Sequence, residues 1–465
     1  MTIRSYLTAT EIAEAVRRGH IRAVDIVRFH LDRISALNPV LNAYTDVVAE
    51  RALARAASID IRRQGGESLG PLAGVPFAVK NLFDIAGVTT RAGSAINRDN
   101  PPAPRDGELI RRLEAADAIL LGGLNMGEYA YDFTGENVHD GNCRNPHDPD
   151  HMPGGSSSGS GSATAAGLAP ISLGSDTNGS IRVPSSLCGI FGLKPTYGRL
   201  TRHGSFPFVD SLDHLGPFAR SVTDLALAYD IMQGPDPRDT GCANRVREPV
   251  TPDLDQGIGG LRIAAAGGFF NTNGLPEAGA AVSAASRALN VLHGVDVPGA
   301  EAGRAAAFII TNAESAAFHR QRLRTRANDF DPDTRDRFLA GSMLPAGWLV
   351  RAHQVRRWYL QQVMELFQEV DILIAPAVPF TAPRIGQKTM MLRGEEQAVR
   401  PNLGLFTQPV SCIGLPVAAV PVDTGSAMPI GVQVIAPPWR EDLALRVARY
   451  LERKGVARAA EPKGI

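Results

Sequence analysis

The stretch Gly154-Gly-Ser-Ser-Ser-Gly-Ser-Gly-Ser-Ala163 gathers hydroxyl groups and glycines, and a second such turn follows at Ile171-Ser-Leu-Gly-Ser-Asp-Thr-Asn-Gly-Ser-Ile-Arg182. A flexible linker has this composition, but a linker leads into a new domain start, and here the chain passes through small residues into another tight turn. Phosphate cradling needs Gly-x4-Gly followed by Lys-Ser or Lys-Thr, or GxGxxG between strand and helix with an acid downstream. Neither occurs. Gly155-x-Ser157-x-Gly159 fits the nucleophile-elbow pattern, yet a run so rich in Gly and Ser produces that match by chance. The preceding Pro149-Asp-His-Met-Pro153 is also a poor strand. Serine chemistry with a lysine base remains. A serine hydroxyl is a weak nucleophile and needs a neighbour to accept its proton. Lysine does this only when neutral, which burial or a nearby cation can bring about. Lys80 closes the apolar run Pro71-Leu-Ala-Gly-Val-Pro-Phe-Ala-Val-Lys80, a place for a buried amine and equally for an ordinary strand-end lysine.

Such groups need a frame. Thr8-Ala-Thr-Glu11 is a helix capping box, followed by Ile12, Ala15 and Val16 at helical spacing. A second helix shows Val24, Val27, Leu31 and Ile34 on one face and is expected to end before Asn38-Pro39. Leu109, Ile110 and Leu113 mark a helix that leads into a strand at 118–121. Strands are expected again at 261–265, 371–375, 417–420 and 431–435, with helices at 278–293 and 441–452. This alternation predicts an α/β fold, a large sheet covered by helices on both faces. The alanine-rich segment between the two Gly/Ser turns reads as a buried helix, and residues 236–260 as a surface loop.

Composition narrows the function further. The 465 residues carry 48 basic and 48 acidic side chains, a formal net charge of zero, so no broad field favours nucleic acid or an anionic membrane. No run of eighteen apolar residues spans a bilayer. Cys143, Cys188, Cys242 and Cys412 lie far apart without CxxC spacing, which fits reduced thiols and a cytoplasmic protein. Cys143-x3-His147-x3-His151 has ligand-like spacing, but Pro146 and Pro149 interrupt it, so no metal site is expected.

Taken together these motifs resemble the amidase signature family. The likeness is closest over residues 70–235: Leu72 to Lys80, Gly154 to Ser160, Gly174 to Pro184, Gly189 to Gly198 and Ser211 to Pro217. A looser C-terminal half, 236–465, keeps Asp371-Ile-Leu-Ile-Ala-Pro376 and Gly414-Leu-Pro416. The resemblance implies one amidase domain over 1–465 with a large mixed sheet, and a Ser-Ser-Lys triad without a cofactor. Ser180 falls on the nucleophile, Ser156 on the bridging serine 24 positions earlier, and Lys80 on the general base. It further implies a cis Gly-Ser bond before Ser156 and an oxyanion hole from the backbone amides of Thr177, Asn178 and Gly179 with Ser180. Asn178 stands where glycine is commoner; if that position needs positive φ, asparagine tolerates it.

Asp176 to Arg182, Asn137 to Cys143 and Phe206 to His214 resemble a subgroup that hydrolyses a small carboxylated urea derivative and releases ammonia. That subgroup works with a small helical partner, an accessory chain, and the likeness implies a homodimer or heterotetramer. Glu128-Tyr-Ala-Tyr131 matches a stretch lining the acyl pocket, which makes Tyr129 and Tyr131 candidate substrate contacts. A cation for the anionic substrate is expected in Arg320, Arg322, Arg324 or Arg326, with Arg320 and Arg324 on one helix face and Arg322 and Arg326 on another. The rival readings are a glutaminase component of a transamidating complex and an inactive amide-binding scaffold.

Overall fold

The computed structural model describes residues 3–291 and 293–463. Its strands in chain order are β1 Tyr44–Val47, β2 Pro76–Lys80, β3 Ile119–Leu124, β4 Ile171–Asp176 and β5 Phe191–Lys194. There follow β6 His214–Ala219, β7 Ile263–Ala266, β8 Gly294–Val295 and β9 Ile372–Pro376. The last are β10 Thr389–Leu392, β11 Glu395–Ala398, β12 Val417–Val422 and β13 Ile430–Ile435. Eleven of them form one mixed sheet in the order β1-β3-β2-β4-β6-β5-β12-β13-β9-β7-β8, and β10 and β11 pair separately as a hairpin. The central strands β2, β4, β5, β6, β12 and β13 are buried at every residue, as their near-continuous apolar runs require.

Two features of this sheet position the site. β2 and β4 run parallel as neighbours, with Phe77 opposite Ile171 and Val79 opposite Leu173. Their C-terminal ends, Lys80 and Asp176, therefore emerge at the same edge. Across this pair packs the helix Ser158–Ala165, all eight residues buried. A helix of Ser, Gly, Ala and Thr lies this close because it has almost no side-chain bulk. A Cβ on Gly159 would sit 2.4 Å from the Ala43 carbonyl oxygen. Two of its hydroxyls are absorbed by β4: Ser160 Oγ donates to the Leu173 carbonyl at 2.9 Å, and Thr164 Oγ1 lies 2.7 Å from Ser172 Oγ.

In the C-terminal half the long helix Ala300–Arg326 packs against Pro332–Ser342, Ala346–Leu366 and Gln408–Cys412. The closing helix Glu441–Arg453 buries Leu443, Leu445, Val447 and Leu451 on β12 and on the helix Val222–Met232. The capping box forms: Thr8 Oγ1 accepts from the Glu11 amide at 3.1 Å, and the Thr8 amide donates to Glu11 Oε2 at 2.7 Å.

The largest shifts from the expected boundaries are at two helix ends. The second helix runs Ala23–Leu41, through Pro39. Asn42 in the left-handed conformation then closes the helix through its amide to the Asn38 carbonyl. The helix expected to reach 293 is Pro276–Ala288, because the chain turns into β8.

Candidate active site

Lys80, the last residue of β2, is wholly buried, and its Nζ reaches three serine hydroxyls: Ser156 at 2.6 Å, Ser175 at 2.9 Å and Ser157 at 3.1 Å. No carboxylate pairs with it among the described residues. Burial pulls its pKa down from 10.5 to about 7, against the opposing pull of Asp213, Asp176 and Asp132. The serines come from two elements. Ser156 and Ser157 lead into the buried helix, and Ser175 lies near the end of β4. Ser157 Oγ locks them by donating to the Ser175 carbonyl at 3.1 Å and accepting from the Ser175 amide at 3.2 Å. The Gly155–Ser156 peptide is cis, as the family resemblance implies.

Beyond β4 the chain turns at Thr177–Ser180, and two acidic groups fix this turn from below. Asp176 is wholly buried against Arg182, with Arg182 Nε 3.0 Å from Oδ2 and Nη2 2.9 Å from Oδ1. Burial alone would raise the Asp176 carboxyl, but the guanidinium holds it well below the usual carboxylate range. Asp176 Oδ2 also accepts from the Ile181 amide at 3.1 Å. On the other side Thr177 Oγ1 donates to Asp213 at 2.6 Å, and Asp213 accepts from the amides of Phe208 and Val209. The backbone N–H groups of Thr177, Asn178, Gly179 and Ser180 donate to no acceptor among the described residues. Unpaired amides on one turn are what stabilising a developing oxyanion requires. The left-handed backbone here belongs to Gly179, φ +143°, and not to Asn178. Asn178 is free to use its side chain instead, donating from Nδ2 to Thr311 Oγ1 at 2.8 Å. Ser180 is buried, and its hydroxyl hydrogen-bonds to no residue described, neither Ser156 nor Lys80. It lines a narrow cavity with Tyr131, Asn178, Thr311 and Arg337.

Comparison with known proteins agrees with this arrangement. The amidase family model matches residues 25–445. The chain belongs to the amidase signature family. It is an enzyme of the class that hydrolyses amide C–N bonds. AtzE of Pseudomonas sp. (strain ADP), a 1-carboxybiuret hydrolase subunit, is 54% identical over 454 residues, covering 97% of this chain and 99% of that protein. A glutamyl-tRNA(Gln) amidotransferase subunit of Chloroflexus aurantiacus is 36% identical, covering 97% of each. A solved structure described as a vestigial protein complex revealing the evolutionary origins of an s-triazine catabolic enzyme superposes with a TM-score of 0.97. It is 54% identical and covers 98% of this chain and 100% of its own.

The remaining candidates of this amidase separate. Tyr131 lines the Ser180 cavity, with its hydroxyl on Asn312 Oδ1. Tyr129 turns away, its hydroxyl on Asn97 Oδ1 at 3.1 Å and its ring stacked on Phe206. None of the four arginines expected to face the substrate lines the Ser180 cavity. Arg320 is exposed on the outer face of its helix, and Arg322 lies over the rings of Phe206 and Phe318 at 5.4 and 5.7 Å. Arg324 is exposed, and Arg326 pairs with Asp99 and Asp329. The guanidinium that does line the cavity is Arg337, on the helix Pro332–Ser342. In the sequence it stands among Asp333, Arg335 and Asp336, where a solvated face is the natural reading, and no periodicity sets it apart. Cys143 is buried, His147 Nε2 lies on the Cys188 carbonyl at 3.0 Å and His151 on Asp148, so these three converge on no metal position. No helix among the described residues is long and apolar enough to cross a membrane.

Proposed function

We propose that this amidase hydrolyses a small carboxylated urea-type amide of the 1-carboxybiuret class, with Ser180 as nucleophile, Ser156 as proton bridge and Lys80 as general base. The observation that carries this reading is the buried Lys80 amine 2.6 Å from Ser156 Oγ, with its pKa brought down to about 7. An amine neutral at working pH takes the Ser156 proton, Ser156 takes that of Ser180, and Ser180 Oγ attacks the amide carbonyl. The amides of Thr177, Asn178, Gly179 and Ser180 stabilise the oxyanion. The proton then returns to the leaving nitrogen, ammonia departs, and water repeats the cycle on the acyl-enzyme. Catalytic hydrogen bonds commonly tighten only around a bound substrate, which is where Ser180 and Ser156 would close.

The substrate class rests on the 54% identity over almost the whole of both chains, against 36% for the amidotransferase chain. Ammonia release from a panel of 1-carboxybiuret, biuret, glutamine and simple carboxamides tests it. Turnover of 1-carboxybiuret without glutamine activity is expected; glutamine as the preferred substrate would replace this reading with that of a glutaminase component. We further propose that the enzyme works in the reducing cytoplasm with a small accessory chain. Its four cysteines are unpaired, and Met343, Trp348, Val350 and Trp358 expose apolar side chains along the C-terminal helices. Co-purification of a second, smaller chain from the native source, with loss of that chain in Trp348→Glu, checks the partner.

A further inference from the structure

We propose that Gln408, its amide oriented by Arg304, is a specificity-determining residue of the catalytic cavity: its side-chain N–H reads the inner carbonyl of an acylurea, one N–H link away from the scissile carbamoyl group. The inference rests on the proposed function for the reaction and adds the residue that tells an acylurea from an alkylurea.

Gln408 lines the same cavity as Ser180, together with Asn178 and Thr311. It begins the helix Gln408–Cys412, which packs against the long helix Ala300–Arg326. The residue before it sets its place beside the catalytic turn, since Thr407 Oγ1 donates to the Asn178 carbonyl at 2.7 Å. From the long helix Arg304 Nε donates to Gln408 Oε1 at 2.9 Å, and Nη2 donates to the Pro401 carbonyl at 3.1 Å. A guanidinium has donors and no acceptor, so only the amide oxygen of Gln408 can face it. The amide nitrogen is thereby turned away from Arg304.

That nitrogen is unused. Nε2 meets no acceptor among the described residues, and it is not sealed from open space although Gln408 as a whole is buried. A buried amide is costly to leave half paired, and an apolar side chain would fill this position without that cost. The arrangement keeps the N–H donors of Gln408 open on the Ser180 cavity. Asn178 supplies the opposite polarity. Its Nδ2 donates to Thr311 Oγ1 at 2.8 Å, and its Oδ1 is buried at the cavity wall without a donor.

An open donor and an open acceptor beside one nucleophile match a carbonyl and a neighbouring N–H of one ligand. In the proposed reaction the scissile carbonyl faces the amides of the turn Thr177–Ser180. A second carbonyl is therefore the group left for Gln408 Nε2, and the N–H between the two carbonyls is the group left for Asn178 Oδ1. An acylurea carries both in that order, as 1-carboxybiuret does. An alkylurea has the N–H and lacks the inner carbonyl, and a simple carboxamide has neither.

The test measures binding to Ser180→Ala enzyme by calorimetry, with malonurate and 3-ureidopropionate as ligands. Both carry a terminal carbamoyl group and a carboxylate at the same chain position, so charge recognition cancels. They differ in the inner carbonyl, which 3-ureidopropionate replaces with a methylene. Ser180→Ala is expected to bind malonurate at least about tenfold more tightly. Ser180→Ala/Gln408→Leu is expected to bind the two ligands within about threefold of each other. Ser180→Ala/Gln408→Glu keeps an oxygen for Arg304 and sets a second oxygen against the inner carbonyl, so it is expected to reverse the order of the ligands. Because it preserves the shape and the Arg304 contact, it keeps the test open should the leucine variant fold poorly. Ser180→Ala/Arg304→Met leaves the Gln408 amide free to turn and is expected to show an intermediate preference; an unchanged preference there overturns the orienting role of Arg304. Equal binding of the two ligands by Ser180→Ala, no binding of malonurate, or a preference that survives both Gln408 variants overturns the proposal. The two readings fail separately. Turnover of 1-carboxybiuret by wild-type enzyme with no Gln408-dependent preference removes the role of Gln408 alone. A Gln408-dependent preference without that turnover removes the substrate alone.

Discussion

Lys80 Nζ stands 2.6 Å from Ser156 Oγ at the meeting point of two parallel strands and a helix made of small residues. The amine is surrounded by hydroxyls and not by carboxylates, so burial governs its proton affinity and brings it to about 7. The active form is the neutral one. Activity should therefore rise with pH, and kcat/KM for ammonia release should follow a limb with an apparent pKa near 7 and level off above it. Lys80→Arg stays charged throughout and should lose at least about 1,000-fold at every pH. A profile flat from about pH 5.5 to about 8.5 would count against lysine as the base.

Asp213 works on the same amine from a distance. Its charge is the largest of those opposing the fall in the Lys80 pKa, while its oxygens hold Thr177 and the amides of Phe208 and Val209. Asp213→Asn removes the charge and leaves an oxygen for the Thr177 hydroxyl. The acid limb of the pH profile should then move to lower pH, by up to about 1 unit. A limb that moves upward, or stays fixed while the variant keeps its fold, would separate Asp213 from the lysine.

Ser180 and Ser156 make different demands on the fold. Ser180 Oγ has no hydrogen-bond partner among the described residues, so Ser180→Ala should leave the melting temperature within about 2 °C and abolish both turnover and labelling by a fluorophosphonate. Ser156→Ala breaks the shortest contact of Lys80 and should lower kcat by about 100- to 10,000-fold. Labelling of Ser156→Ala enzyme at the wild-type rate would show that Ser180 needs no bridge.

Much of this was legible in the sequence because it is local. The capping box at Thr8, the apolar run ending at Lys80 and the small-residue helix after Ser157 are each specified within about ten residues, and each forms where expected. The mixed sheet could be anticipated, but not its order: β5 pairs with β12 more than 200 residues later, a contact no local pattern encodes. The absence of Arg320, Arg322, Arg324 and Arg326 from the lining of the Ser180 cavity has a related reason. Arg320 to Arg326 form the densest basic run, yet a charged run on a long helix faces solvent or aromatic edges. Arg337 is drawn inward only because its helix packs onto the helix Ala300–Arg326 beside Tyr131. Which guanidinium lines that cavity is set by tertiary packing. Asn178 shows the opposite case. Its substitution for glycine looked like a conformational compromise, but the left-handed residue is Gly179, where a Cβ would strike Thr407 Oγ1 at 2.1 Å.

Arg182 is where stability and catalysis meet. It is wholly buried, pairs with Asp176 through two hydrogen bonds, and reaches the Thr407 carbonyl at 3.0 Å and Gln433 Oε1 at 2.6 Å. It thereby ties the turn at Thr177–Ser180 to the opposite half of the sheet. Arg182→Met strands a buried carboxylate and should cost about 3–5 kcal/mol in denaturant unfolding at neutral pH. The pH dependence gives the sign. In the wild type Asp176 has a folded pKa below its unfolded one, so its contribution is present above the ordinary carboxylate range and is lost as pH falls toward the depressed value. Without Arg182 the carboxyl takes up a proton readily, so acidification should narrow the gap between variant and wild type. Asp176→Asn/Arg182→Met, which leaves no charge in the interior, should recover part of the stability but not kcat, because the turn still lacks its anchor. A gap that widens on acidification would mean that Arg182 stabilises the fold through its packing and not through Asp176.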